Sequence, residues 1–206
     1  MSYYPNDGPL RRELYPKHLE FFRKGREHRE RCFLAANRVG KTEGVGAFET
    51  TLHLTGRYPD WWEGRRFETA ITAWAAGDTN QTTKDVLQRV LLGAKIDIGT
   101  GMIPGDAIVK TTPKTGVPDA VETIHVKHVS GGISELTLKT YEQGRISFQG
   151  TSRHIVWLDE EPDMGIYTEC LTRTMTTNGL VICTFTPLLG MSEVVRYFLD
   201  MKAIES

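Results

Sequence analysis

Apolar and polar positions along this chain fall into short blocks that switch between strand-like and helix-like spacing. Cys32 to Ala36 is a continuous apolar run of the length of a strand buried on both faces, and the loop Asn37-Arg38-Val39-Gly40 follows it. From Glu43 to Thr55 the spacing is helical, with Val45, Phe48, Leu52 and Thr55 inward; Gly44 and Gly46 weaken the helix, either for close approach to a sheet or by plain tolerance. Thr69 to Ala76 predicts a strand stopped by Gly77-Asp78, and Gln81 to Leu92 a helix with Val86, Leu87, Val90 and Leu91 as its apolar positions. Upstream, Met1 to Leu14 is polar and reads as irregular, while Pro16 suits the first turn of a helix that turns Leu19 and Phe22 inward. Downstream, Val121 to Val129 and Ser134 to Tyr141 pair as a hairpin across Ser130-Gly131-Gly132. His154 to Leu158 is a second fully buried strand, ending in Asp159-Glu160-Glu161. A helix from Ile166 to Thr177 closes at Asn178-Gly179, a third buried strand runs from Leu180 to Pro187, and a last helix begins at Met191. Strands alternating with helices predict a three-layer α/β domain with a mostly parallel sheet and an antiparallel addition from residues 121–141.

Composition narrows the class without naming a chemistry. The chain has 206 residues, 39% apolar and 25% charged, which suffices for one full α/β core. A net charge of −1 gives no global field for nucleic acid, so any such contact must come from local patches. Cys32, Cys170 and Cys183 lack metal-ligand spacing and read as buried thiols of a reducing compartment. No run approaches the ~18 apolar residues of a membrane span, and the expectation is a soluble intracellular protein.

The chemistry lies in two of the strand ends. After the first strand, the loop and Gly40-Lys41-Thr42 lead into a helix, the order a phosphate-binding loop requires. Backbone N–H groups of such a loop converge on a β-phosphate; Lys41 would reach the β- and γ-phosphates and Thr42 would offer its hydroxyl to Mg²⁺. Ala35 stands where the usual pattern has its first Gly, so the tripeptide alone is also compatible with a chance occurrence. The second strand end decides between them. In a parallel sheet Asp159 and Glu160 would emerge beside the loop, Asp159 to hold Mg²⁺ through its water shell and Glu160 to polarise an attacking water. Thr184 and Thr186, at the tip of the next strand, would sense the γ-phosphate or that water, unless they are there for β-propensity.

With these segments in place the chain closely resembles the ATPase domain of the large terminase subunit of tailed bacteriophages, and within it the P22-like branch. The matching stretches are Tyr15-Pro-Lys-His-Leu-Glu-Phe21, Ala36-Asn-Arg-Val-Gly-Lys-Thr42, His53-Leu-Thr-Gly-Arg-Tyr-Pro59, Gln143-Gly-Arg145, Trp157-Leu-Asp-Glu-Glu-Pro162, Leu171-Thr-Arg-Thr174 and Thr184-Phe-Thr-Pro187. The resemblance implies a P-loop NTPase fold of the RecA-like (ASCE) kind over residues 1–206, with ATP and Mg²⁺ held by Ala36, Asn37, Arg38, Val39, Gly40, Lys41, Thr42 and Asp159. It places residues 1–30 on the adenine side, where His18 stands in for the family's Gln and Tyr15 can stack. Residues 190–206 would begin the connection to a nuclease domain beyond this chain. It further implies an arginine that completes a neighbouring subunit's site, with Arg145 and Arg153 as candidates and Arg38 as an alternative within the same chain. Double-stranded DNA, further copies in a ring on a procapsid portal, a small terminase subunit and the host cytoplasm follow as expected partners and location. A helicase-type ATPase, a small-molecule kinase and a nucleotide-binding assembly module with little turnover remain the rival readings.

Overall fold

The apolar run before Gly40-Lys41-Thr42 forms β1 (Glu30–Leu34), and the computed structural model describes residues 3–36, 39–188 and 190–205. Ahead of it lies α1 (Pro16–Lys24), with Pro16 in the first turn, where a missing N–H costs nothing. After the loop, Lys41–Ala47 winds as a wide π-type turn that runs into α2 (Phe48–Thr55), so helical structure starts two residues before the expected Glu43. β2 (Thr72–Gly77) follows, then α3 (Asn80–Thr82), a π-type segment (Thr83–Gln88) and α4 (Arg89–Leu92). The remaining elements are β3 (Ile108–Pro113), β4 (Val121–Lys127), β5 (Ile133–Thr140), β6 (Ile155–Asp159), α5 (Met164–Met175), β7 (Leu180–Phe185) and α6 (Glu193–Glu205).

All seven strands lie in one sheet, ordered β1-β7-β6-β2-β5-β4-β3. The first five are parallel, and β4 then pairs antiparallel with both β5 and β3. Two details differ from the sequence expectation. The hairpin of β4 and β5 forms, but β5 also pairs in parallel with β2 from Thr72↔Glu135 to Gly77↔Thr140, so it belongs to both parts of the sheet. β3 was not legible, because its Lys110, Thr111 and Thr112 carry no apolar alternation.

β6 and β7 are buried at every position and split their side chains between two cores. On one face Ile155, Trp157 and Ile182 pack with Phe22, Val45, Phe48, Leu52 and Leu87; on the other Val156, Leu158, Val181 and Cys183 pack with Ile166, Tyr167, Cys170 and Val194. This is the three-layer arrangement, helices on both faces of a mostly parallel sheet. Of the apolar positions expected on the helix from Gln81 to Leu92, Val86 is instead exposed, and Thr83, Leu87, Leu91 and Leu92 form the buried side.

Candidate active site

The carboxyl ends of the parallel strands share one edge, because Leu34 is in register with Phe185 and Asp159 with Thr184. Here Gly40 adopts a left-handed conformation (φ +79°) that glycine reaches without steric cost, and it turns the chain into the segment beginning at Lys41. Lys41 is buried. Thr42 Oγ1 donates to Asp159, 2.9 Å from Oδ1 and 3.2 Å from Oδ2. From the other side Thr184 Oγ1 donates to Asp159 Oδ1 at 2.7 Å, and the Trp157 indole N–H donates to Thr184 Oγ1 at 2.7 Å. The carboxylate is thus clamped between the helix start and the neighbouring strand.

Asp159 is 3% exposed, and burial pushes its carboxyl up to about 7 against the opposing pull of the Thr184 and Thr42 hydrogen bonds; the neighbouring Glu160 raises it further and Lys41 lowers it. A carboxylate so placed gains from a nearby cation. The hydroxyl of Thr42 and the oxygens of Asp159 are the hard donors a small divalent ion takes, so these residues fit Mg²⁺ held by few protein ligands. Among the described residues no three His, Cys, Asp or Glu side chains converge as a metal cage.

Glu160 follows at φ +69°, exposed, with its N–H donating to Thr184 O at 3.2 Å. A left-handed conformation at a residue other than glycine costs about 1–3 kcal/mol and marks a position the surroundings over-determine. Tyr141 supplies part of that restraint: its hydroxyl lies 3.1 Å from Asp159 O and 3.0 Å from Glu160 O.

Beside the loop is a cavity of about 250 Å³ lined by Tyr3, Tyr4, Leu10, Tyr15, His18, Gly40, Glu43 and Gly44. Tyr4 OH donates to Gly44 O at 2.6 Å and lies 2.7 Å from His18 Nδ1, while the rings of Tyr15 and His18 stand 5.3 Å apart. Burial holds the His18 imidazole below its usual range. The structure therefore brings Tyr15, His18, Gly40, Lys41, Thr42, Asp159, Glu160 and Thr184 to one edge. Thr184 is fully buried and spends its hydroxyl on Asp159, and Thr186 Oγ1 donates to Ala35 O at 2.8 Å. Ala36 and Val39 are exposed at the mouth of the loop; Asn37 and Arg38 lie outside the described residues.

The two remaining arginines make different contacts. Arg145 sits on the site edge, just past Tyr141, with Nε 3.3 Å from Glu169 Oε2, a carboxylate shared with Arg173 at 3.1 Å. Arg153 precedes β6 and stacks over Trp74 at 4.6 Å. Six extended residues from Asp159 place it roughly 20 Å from the site, so it does not reach the carboxylates of its own chain. Tyr4, Trp157 and Tyr141 were not among the sequence candidates; the aromatic Trp157 directly ahead of Leu158-Asp159 was the available signal for one of them.

The fold and the paired strand ends define an α/β domain in which a candidate phosphate loop and a carboxylate-bearing strand meet at one edge of a mostly parallel sheet. Residues 32–205 match the family described as terminase large subunit, T4likevirus-type, N-terminal, and the chain belongs to that family. It is 41% identical to the large terminase subunit of Salmonella phage P22, over 90% of this chain and 41% of that protein. Its fold matches the crystal structure of a large terminase from a thermophilic bacteriophage with a TM-score of 0.56 at 11% identity, over 90% of this chain and 48% of that one. The chain thus spans less than half the length of either relative.

Proposed function

We propose that this chain hydrolyses ATP and that hydrolysis drives double-stranded DNA into a viral procapsid. The single observation that carries the reading is the Thr42–Asp159–Thr184 cluster, which joins the phosphate-loop helix to the carboxylate strand. In this reading backbone N–H groups after Gly40 hold the β-phosphate, and Lys41 reaches the γ-phosphate. Thr42 and Asp159 would hold Mg²⁺, which when bound neutralises charge on the transferring phosphoryl group. Glu160, one residue beyond, orients and deprotonates the attacking water. The aromatic cavity takes the adenine, with Tyr15 and His18 as its walls and a stacked ring rather than amide reading as the source of affinity.

Arg145 is the better placed of the two candidate fingers for a neighbouring subunit. It is 60% exposed at the site edge, whereas Arg153 is stacked on Trp74 at the opposite end. The reading extends, by likeness to the family, to a ring of copies on the procapsid portal, a small terminase subunit, DNA, a nuclease domain in the full-length protein and action in the host cytoplasm as proposed partners and setting. Among the described residues no helix is long and apolar enough to cross a membrane.

The test is Mg²⁺-dependent ATP turnover of this chain at high protein concentration beside Glu160→Gln. Turnover lost by about two orders of magnitude, with nucleotide affinity kept, is the expected result for removal of a general base. Equal turnover in both chains would remove Glu160 from the mechanism.

A further inference from the structure

Consecutive carbonyls of an extended strand point to opposite sides, so a single hydroxyl cannot reach two of them. At the end of β6 one does, because the left-handed turn at Glu160 swings the carbonyls of Asp159 and Glu160 to the same side. Tyr141 OH is the group placed between them. A phenolic hydroxyl carries its proton at neutral pH and donates here to both carbonyls.

The phenol is itself held from two directions. At the end of β5, Thr140 N–H donates to Gln143 Oε1 at 3.2 Å and closes the short turn Tyr141–Gln143. The turn is then tied to the tip of β2, through Glu142 N to Asp78 O at 3.2 Å and Asn80 N to Glu142 Oε2 at 2.8 Å. The ring packs in the second core, 6.4 Å from Phe148. The anchor that sets the backbone of Glu160 thus stands at the end of β5, two places from β6 in the sheet, and is bolted to the tip of β2, the strand between them. The side chain of Glu160 is exposed, so its direction depends on this backbone rather than on packing of its own.

We propose that Tyr141 is a positioning residue for hydrolysis: its hydroxyl locks the left-handed turn that aims the Glu160 carboxylate at the water. This rests on the reading of Glu160 as the base. Tyr141 touches no reacting atom, and its effect passes wholly through Glu160.

The experiment is a double-mutant cycle on the same chain, with Tyr141→Phe, Glu160→Gln and the pair, read as single-turnover ATP hydrolysis with Mg²⁺ and as nucleotide affinity. Loss of the hydroxyl is expected to lower hydrolysis by about 10-fold to 100-fold, the usual effect of a reacting group displaced by a fraction of an ångström to 1 Å. Nucleotide affinity should stay unchanged. In the Glu160→Gln background, Tyr141→Phe should have no further effect, because both act through one group. A general loosening of the fold would instead lower the residual Glu160→Gln rate by the same factor, and that result overturns the proposal. So does a Tyr141→Phe chain that hydrolyses at the parental rate, or one that loses nucleotide affinity. These outcomes leave the base standing; Glu160→Gln turning over normally would remove the base, and this role of Tyr141 with it.

Discussion

Asp159 is held by two hydroxyls, and the one from Thr184 does more than fill space. It accepts from the Trp157 indole and donates to the carboxylate, so its removal strands a donor on one side and weakens the clamp on the other. Thr184→Val keeps the shape of the side chain and loses only the oxygen. We expect it to destabilise the fold by about 1–3 kcal/mol, the cost of an unsatisfied buried donor, and to weaken Mg²⁺-dependent nucleotide binding. Urea unfolding and nucleotide titration with and without Mg²⁺ measure the two effects, and a variant unchanged in both would show the relay to be idle. The residues of this site differ in how far they could be read beforehand. Lys41, Thr42, Asp159 and Glu160 were legible because a loop-to-helix junction and a strand end each carry a chemical signature. The partner of Thr184 was not: the register that sets it beside Asp159 exists only once β6 and β7 pair. Tyr141 was still further from view, since its role depends on a short turn after β5 and on a positive φ after β6, and no local pattern links the two.

At the scale of elements, the phosphate-loop helix is pressed against β6 at one position. A Cβ on Gly46 would lie 2.2 Å from the Trp157 indole, far inside contact distance, and the same indole supplies the hydrogen bond to Thr184. Two effects compete in Gly46→Ala. The helix would gain about 1 kcal/mol from the better propensity of alanine, and the core would lose about 1–3 kcal/mol to overpacking, more where a rigid ring cannot yield. Trp157 is fully buried, so the clash wins, and the variant should unfold at lower denaturant and bind Mg²⁺ and nucleotide less tightly. A variant as stable as the parent would mean that the helix can slide without cost. Of the two explanations the sequence allowed for Gly44 and Gly46, close approach is the one seen, with Tyr4 OH 2.9 Å from where a Cβ on Gly44 would sit. Helix and strand blocks with strong periodicity were legible to within a few residues, the β-hairpin included. What stayed hidden were features that no local pattern encodes: the second, parallel partner of β5, the edge strand β3, and the burial of Tyr4 in a segment that reads as irregular.

Across the whole molecule, net charge near zero leaves stability against pH to a few buried groups. Burial holds His18, His53 and His154 below the ordinary imidazole range, although Glu49 on His53 and backbone hydrogen bonds on the other two pull the opposite way. His53 is the most enclosed, with Glu49 Oε1 3.2 Å from Nε2, Tyr58 OH 2.8 Å from Nδ1, and Arg31 and Arg65 opposing its charge. These imidazoles take a proton less readily in the fold than once it opens. Below their unfolded value near 6.5 the unfolded chain therefore binds more protons, and stability is lost as pH falls through that value. Glu49 adds a lower window. Its carboxyl is fully buried, and burial alone would raise it, yet paired with Arg31 at 2.6 Å and with His53 it lies below the usual range, so its contribution is present above about 4.5 and is lost further into acid. Asp159 acts in the opposite sense, since a carboxyl raised to about 7 favours the fold while protonated and offsets part of the histidine contribution between about 4 and 7. The histidines together outweigh it below their unfolded value, so urea unfolding in a chelator should give a free energy that falls from pH 6.5 to 5.5. His53→Gln should flatten that slope, and Asp159→Asn should steepen it. A parent chain whose stability holds level or rises over that interval would show that the fold does not disfavour protonation of the histidines.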